Sequence, residues 1–169
     1  MTSSGEATFE AQVAQLLPRL RRFAFALTRH PADGDDLAAM AIERALRART
    51  QWQPGTRLDS WLFRITRNVW IDEIRSRQRK ARQEAPPDAA NDVGVDPRPG
   101  LEAALDLQRV MAAMGRLPDE QREVVALILV EGFGYRETAE LLDLPIGTVS
   151  SRLVRGRTAL LELLGEGKA

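Results

Sequence analysis

Gly134-Tyr135-Arg136-Glu137-Thr138-Ala139-Glu140-Leu141-Leu142-Asp143-Leu144-Pro145-Ile146-Gly147-Thr148-Val149-Ser150-Ser151-Arg152 reads as two short helices joined by a tight turn. That is the layout of a helix-turn-helix DNA reader. Ala139 is small enough for the second helix to cross the first closely, and Leu141 and Leu142 supply the apolar contact. Asp143-Leu144-Pro145 ends the first helix, and Pro145 presets φ for the next one, where its missing N–H costs nothing. At about 100° per residue, Ile146, Val149, Leu153 and Leu160 share one side of the second helix and are expected to be buried. The other side carries Thr148, Ser151, Arg152 and Arg155, with Arg157 nearby. Hydroxyls and guanidiniums suit phosphates and base edges.

Helical patterning continues outward from this segment. Leu101 to Met114 and Glu120 to Val130 alternate apolar and charged groups at helical spacing, separated by Arg116-Leu117-Pro118-Asp119. Residues 83–100 hold Pro86, Pro87, Pro97 and Pro99 with little that can be buried, which predicts a flexible linker. Before it, Phe9, Val13, Leu16, Leu17, Leu20, Phe23, Ala24 and Leu27 recur at threes and fours, although Pro18 is expected to kink or divide this helix. Asp33-Gly34-Asp35-Asp36 predicts a turn, with an acidic start to a second helix running to about Ala48. Trp52 to Thr56 reads as a loop, and a third helix is predicted from Leu58 to about Arg82, with Leu58, Leu62, Ile65 and Val69 on one side. No strand alternation is evident. The expectation is an all-α chain of two small helical domains, 1–82 and 101–169, joined by a linker at 83–100.

The 169 residues include 24 Lys or Arg and 24 Asp or Glu, for a net charge of zero. The balance conceals an uneven distribution, because residues 1–82 carry 15 cations against 9 anions. A basic front half suggests a polyanion-binding surface. No cysteine is present and His30 is the sole histidine, which excludes thiolate zinc sites, disulfides and cysteine nucleophiles. The N-terminal residues lack a secretory pattern, and no apolar run approaches the roughly 18 residues that span a bilayer. A cytoplasmic protein without membrane insertion is expected.

Trp52, Trp61 and Trp70 fall close together in the first half, and Phe63 joins them. On a straight helix Phe63 and Trp70 point away from the Leu58-Leu62-Ile65-Val69 stripe, alongside Arg67, Ile71 and Ile74. The same helix ends in Arg75, Arg77, Arg79, Lys80 and Arg82. Aromatic faces beside cations are what a single nucleic-acid strand requires, stacking being worth about 1–3 kcal/mol per base. The same aromatics also suit a three-helix core against Phe23, Phe25 and Leu46, and both readings stay open.

Together the two halves resemble a bacterial sigma factor of the extracytoplasmic-function (ECF) group, the small type holding only sigma regions 2 and 4. Leu17-Pro18-Arg19-Leu20-Arg21-Arg22-Phe23-Ala24, Asp35-Asp36-Leu37 and Glu43-Arg44-Ala45 resemble the first two helices of region 2. Arg57-Leu58-Asp59-Ser60-Trp61-Leu62-Phe63-Arg64-Ile65-Thr66-Arg67-Asn68 resembles its promoter-melting segment. Leu117-Pro118 to Val124 and Pro145 to Leu153 are similar to region 4.

The resemblance implies that Asp36, Ala39, Met40, Glu43, Arg44 and Arg47 meet the beta-prime clamp helices of core RNA polymerase, with region 4 meeting the beta flap. It implies minus-ten contacts from Trp61, Arg64, Arg67, Asn68, Trp70, Arg75 and Arg79, with Asn68 in the pocket of a flipped base. It implies minus-thirty-five contacts from Thr148, Ser150, Ser151, Arg152, Val154 and Arg155, with Arg155 reading guanine. Ser150 departs from the family, where a basic residue is frequent, as do Ala39 and Met40, where more polar groups are common. The group is usually held inactive by an anti-sigma factor clasping both domains.

Enzymatic chemistry is not expected. There is no Gly-rich phosphate loop, no nucleophile beside a histidine and no metal-ligand cluster, so no cofactor is expected either. Asp35-Asp36 reads as an N-terminal cap and Asp72-Glu73 as a surface pair. Two other readings fit the same helices: a helix-turn-helix regulator acting without polymerase, and a sigma-like decoy that binds an anti-sigma protein.

Overall fold

A computed structural model describes residues 7–83 and 101–166, and among these residues it forms seven α-helices and no strand. The predicted linker, beyond Gln83, lies outside the described residues.

The first helix, α1 (Phe9–Thr28), starts where Thr8 Oγ1 accepts the Ala11 N–H at 3.2 Å. Pro18 neither divides nor ends it, against expectation. A proline inside a helix costs about 3 kcal/mol, but Val13, Leu20, Phe23, Ala24 and Leu27 are all buried along this helix and hold it on both sides of the break in hydrogen bonding. The second helix, α2 (Pro31–Arg47), begins with Pro31 in the first turn and His30 as the N-cap. The turn predicted at Asp33–Asp36 is therefore helix, and the capping role predicted for Asp35-Asp36 belongs to the His30-Pro31 junction. Gly34 favours the crossing: a Cβ there would lie 3.0 Å from the Phe25 backbone, tighter than an ordinary contact, so a larger residue would push α2 away from α1.

A 3-10 turn (Arg49–Gln51) and a loop lead to α3 (Leu58–Ala81). Leu58, Leu62 and Val69 are buried as the stripe predicted, with Ile65 half-buried. Phe63 is fully buried as well, which decides for the core reading of the two that the sequence left open for it. Its ring stacks on Phe23 at 5.0 Å and meets the edge of Phe133 at 5.0 Å. The ring thus lies between α1 and the segment that holds Phe133, neighbours that the pattern of α3 alone does not reveal.

The C-terminal half comprises α4 (Leu101–Arg116), α5 (Asp119–Val125), α6 (Tyr135–Leu142) and α7 (Ile146–Glu166). A single π-type turn, Ala126–Val130, prolongs α5 and brings Glu131 back under the N-terminal half. Gly156 lets α7 pass close to α5, because a Cβ there would meet Val125 Cγ2 at 2.8 Å. Val149 and Leu153 are buried as expected and Leu160 is half-buried, whereas Ile146 is 47% exposed. At 1.5 Å per residue Ile146 stands about 15 Å from Gly156, at the first residue of α7 beside the turn from α6.

Candidate nucleic-acid interface

The turn between α6 and α7 is built by Asp143, which adopts the left-handed conformation at φ 54° and closes α6. Leu144 N–H then reaches back to the Ala139 carbonyl at 2.9 Å. At the other end of α6, Glu137 accepts the Gly134 N–H at 2.8 Å. These closures fix the angle at which α7 leaves the domain. With Val149 and Leu153 facing inward, Ser151, Val154 and Arg155 face solvent, Val154 at 61% exposure. Thr148 and Ser150 are half-buried beside them. Arg152 is not free: it pairs with Glu120 of α5 at 2.8 Å and keeps only 21% of its side chain exposed.

On α3, Trp61, Arg64, Asn68, Arg75 and Arg79 lie within an arc of about 60° at 100° per residue, and Trp70 lies nearly opposite. Asn68, Arg75 and Arg79 are exposed. Trp61 is half-buried against Phe9, ring centroids 6.1 Å apart, and Phe9 also meets Trp52 at 5.6 Å. Trp70 belongs to another surface. It lines a groove of about 380 Å³ between α2 and α3 together with Asp36, Ala39, Met40 and Glu43, and Arg77 lies over its ring at 5.9 Å. Four of the six residues that the resemblance assigns to polymerase contact are thus gathered at one groove with Trp70. The other two, Arg44 and Arg47, sit further along α2 and are paired with Asp72 and Glu43.

Arg64 and Arg67 are already engaged. Arg64 donates to the Glu140 carbonyl of α6 at 2.9 Å, and Arg67 Nε donates to Glu123 of α5 at 2.5 Å. Burial pushes the Glu123 carboxyl above its usual range, although Arg67, Arg152 and Arg122 all pull the other way. Beside them Arg57 pairs with Glu137 of α6 and, at 2.7 Å, with Asp59. Burial alone would raise Asp59, but Arg57, the Ser60 amide and Arg19 outweigh it, and the carboxyl ends below its usual range.

The residues that join the halves were not singled out in the sequence. Arg122 is 2% exposed and donates to the Ala26 carbonyl at 2.5 Å and the Leu27 carbonyl at 3.3 Å. A guanidinium from α5 thus serves the last carbonyls of α1, where the helix dipole favours a cation. Asp119 bridges Arg122 and Arg29, each at 2.6 Å. Glu131, its side chain 1% exposed, receives Arg19 and Arg22, each at 3.1 Å. The one sequence signal for this surface was Phe133 between Gly132 and Gly134, an aromatic isolated in a loop.

A family model for Sigma-70 region 2 matches residues 12–80, and one for Sigma-70, region 4 matches residues 107–160. The chain is 34% identical over 148 residues to the ECF RNA polymerase sigma factor EcfG of Rhodopseudomonas palustris, covering 88% of this chain and 80% of that one. It is 30% identical over 159 residues to the RNA polymerase sigma factor CarQ of Myxococcus xanthus, covering 94% and 90%. Among solved structures, the sigma factor RpoE of Bartonella quintana in complex with the anti-sigma factor NepR superposes with a TM-score of 0.81 at 32% identity, covering 93% of this chain and 96% of that one. With both regions matched in order and the two-part helical fold shared, the chain belongs to the ECF group of RNA polymerase sigma factors.

Proposed function

We propose that the chain binds core RNA polymerase through the groove between α2 and α3, reads a minus-thirty-five element with α7, and opens a minus-ten element with α3. The observation that carries this reading is the orientation of α7: Val149 and Leu153 are buried while Ser151, Val154 and Arg155 are presented outward. A recognition helix needs its polar side free to enter the major groove. Arg155 is the candidate for bidentate guanine contact, and Thr148 and Arg152 for phosphates. The domain division is residues 1–82 for polymerase and minus-ten contact and 101–169 for minus-thirty-five contact. Asn68 receives the flipped base, flanked by Arg75 and Arg79.

The groove supports the polymerase assignment by its chemistry. Asp36 and Glu43 present carboxylates around the apolar floor of Met40, Ala39 and Trp70, which suits a helix carrying basic and aliphatic side chains. The polymerase beta flap meets the C-terminal half, and an anti-sigma factor is the expected inhibitor, as in the relative crystallised with NepR. None of the described helices is long and apolar enough to cross a membrane. The chain works in the cytoplasm, on the nucleoid when active, as an initiation factor that directs an enzyme rather than as an enzyme itself.

Run-off transcription with purified core polymerase, with and without the chain, tests this. Initiation at a discrete set of genomic promoters only when the chain is added is the expected result. Unchanged initiation on all of them would overturn the reading, and duplex binding without any polymerase dependence would point to an autonomous regulator.

A further inference from the structure

Over the first three turns of α7, Val154, Ser151 and Arg155 fall within an arc of about 100°, centred opposite the buried Val149, Leu153 and Gly156. Val154 is the apolar member of this outward set, at 61% exposure. An isolated surface valine is ordinary, so its neighbours decide what it can do. The Ser151 hydroxyl, one turn before it, donates to the Thr148 carbonyl at 3.1 Å. That commits the one proton of the hydroxyl and leaves its lone pairs to an outside donor. Arg155 Nε donates to the Ser151 carbonyl at 3.3 Å, which lays the guanidinium back along the same face. Ser150, also one turn before Val154, is short and half-buried, and Arg152 is drawn aside by Glu120 at 2.8 Å. No long side chain therefore overhangs Val154 from the N-terminal part of α7.

We propose that Val154 reads the C5-methyl group of a thymine in the minus-thirty-five element, so that an A·T pair is selected by apolar contact beside the guanine that Arg155 takes. In the major groove a methyl group stands only at thymine, and a cytosine in its place leaves Val154 without an apolar partner. The adenine of the same pair offers its N6 amino group, a donor suited to the free lone pairs of Ser151. No other pair of the four bases presents a methyl group and a donor together. Val154 and Arg155 are about 1.5 Å apart along the helix axis, less than one base-pair step of about 3.4 Å. The two pairs they read are therefore neighbours in the element. The inference rests on the assignment of α7 to minus-thirty-five reading made above, and names the base that this helix selects.

Holoenzyme reconstituted from the full chain and purified core polymerase tests it. A library randomised across the upstream element first yields the sequence that the holoenzyme selects. Each thymine of that sequence, on either strand, is then replaced singly by deoxyuridine, which removes the methyl group and nothing else, and binding is measured by competition. One replacement, at a pair adjoining a G·C pair, is expected to weaken wild-type binding about fourfold, the worth of one methyl group taken from water. Val154→Ala is expected to bind the thymine-bearing element more weakly and to be indifferent to that same replacement, whereas Arg155→Ala keeps the response. The valine and the methyl group thus form a double-mutant cycle, in which the change to the DNA cannot disturb the protein fold. The absence of any thymine whose methyl group matters overturns the inference alone, as does equal methyl sensitivity in wild type and Val154→Ala. Failure of the holoenzyme to select any upstream element overturns it together with the minus-thirty-five assignment beneath it.

Discussion

Glu123 on α5 holds the Arg67 guanidinium of α3 at 2.5 Å, across the boundary between the two halves. The pair is largely withdrawn from water, so its carboxylate loses solvation that Arg67, Arg152 and Arg122 do not fully replace. Removing one partner of such a buried pair strands the other charge.

A pH dependence follows from this burial. The Glu123 carboxyl titrates above its unfolded value of about 4.3, so the stability it contributes is complete below that value and is lost as pH rises through the higher folded value. Asp59 and Asp119 have lowered values; burial opposes the shift in each, and their arginine partners outweigh it. Their contribution has the opposite sign, present above an unfolded pKa of about 3.9 and lost as pH falls. Comparing wild type with Glu123→Gln cancels those two. The melting temperature of the variant relative to wild type should be highest near pH 8 and decline steadily toward pH 4.5 in scanning calorimetry. A constant difference across that range would contradict the burial argument.

Phe63→Ala should cost about 3–5 kcal/mol of unfolding free energy, as expected for a fully buried ring. Trp70→Ala, which empties one wall of an open groove, should cost less. Urea unfolding followed by circular dichroism distinguishes them. Similar midpoints for the two variants would mean that Phe63 is not a core residue.

Gly156→Val should destabilise the C-terminal half by about 1–3 kcal/mol, because its side chain collides with Val125 where α5 and α7 touch. Gly147, with open space around its Cα, should accept alanine without such a penalty. Thermal melts of the two variants check the contrast.

Arg155→Ala should weaken upstream-element recognition by about 1–3 kcal/mol, the worth of one bidentate base contact. Asn68→Ala should leave that step intact and impair strand opening. Permanganate footprinting of promoter complexes formed with core polymerase separates the steps. The same defect in both variants would refute the division of labour.

Most helices were legible in the sequence because their burial is one-sided: Leu58, Leu62 and Val69 repeat at helical spacing and are buried. Local rules failed where tertiary packing prevailed over them. Pro18 breaks no helix because residues on both sides of it are held in the core, and Asp33 to Asp36 do not turn because Gly34 admits the Phe25 backbone. Ile146 was misplaced by helical-wheel reasoning, and the same reasoning left Phe63 undecided, because it sees one helix and not the neighbours at its ends or flanks. The DNA-facing side of α7 could be read from its hydroxyls and guanidiniums. Nothing local announced that Arg64, Arg67 and Arg122 would find partners many residues away, since contact between the halves depends on how they dock.

Arg122 gives that docking a reach beyond the surface it covers. The last turn of α1 is finished by a side chain borrowed from the other half of the molecule, and Thr28, in that same turn, lines the groove between α2 and α3. Separation of the halves therefore leaves the Ala26 and Leu27 carbonyls to water, one turn or less from a residue that lines the groove.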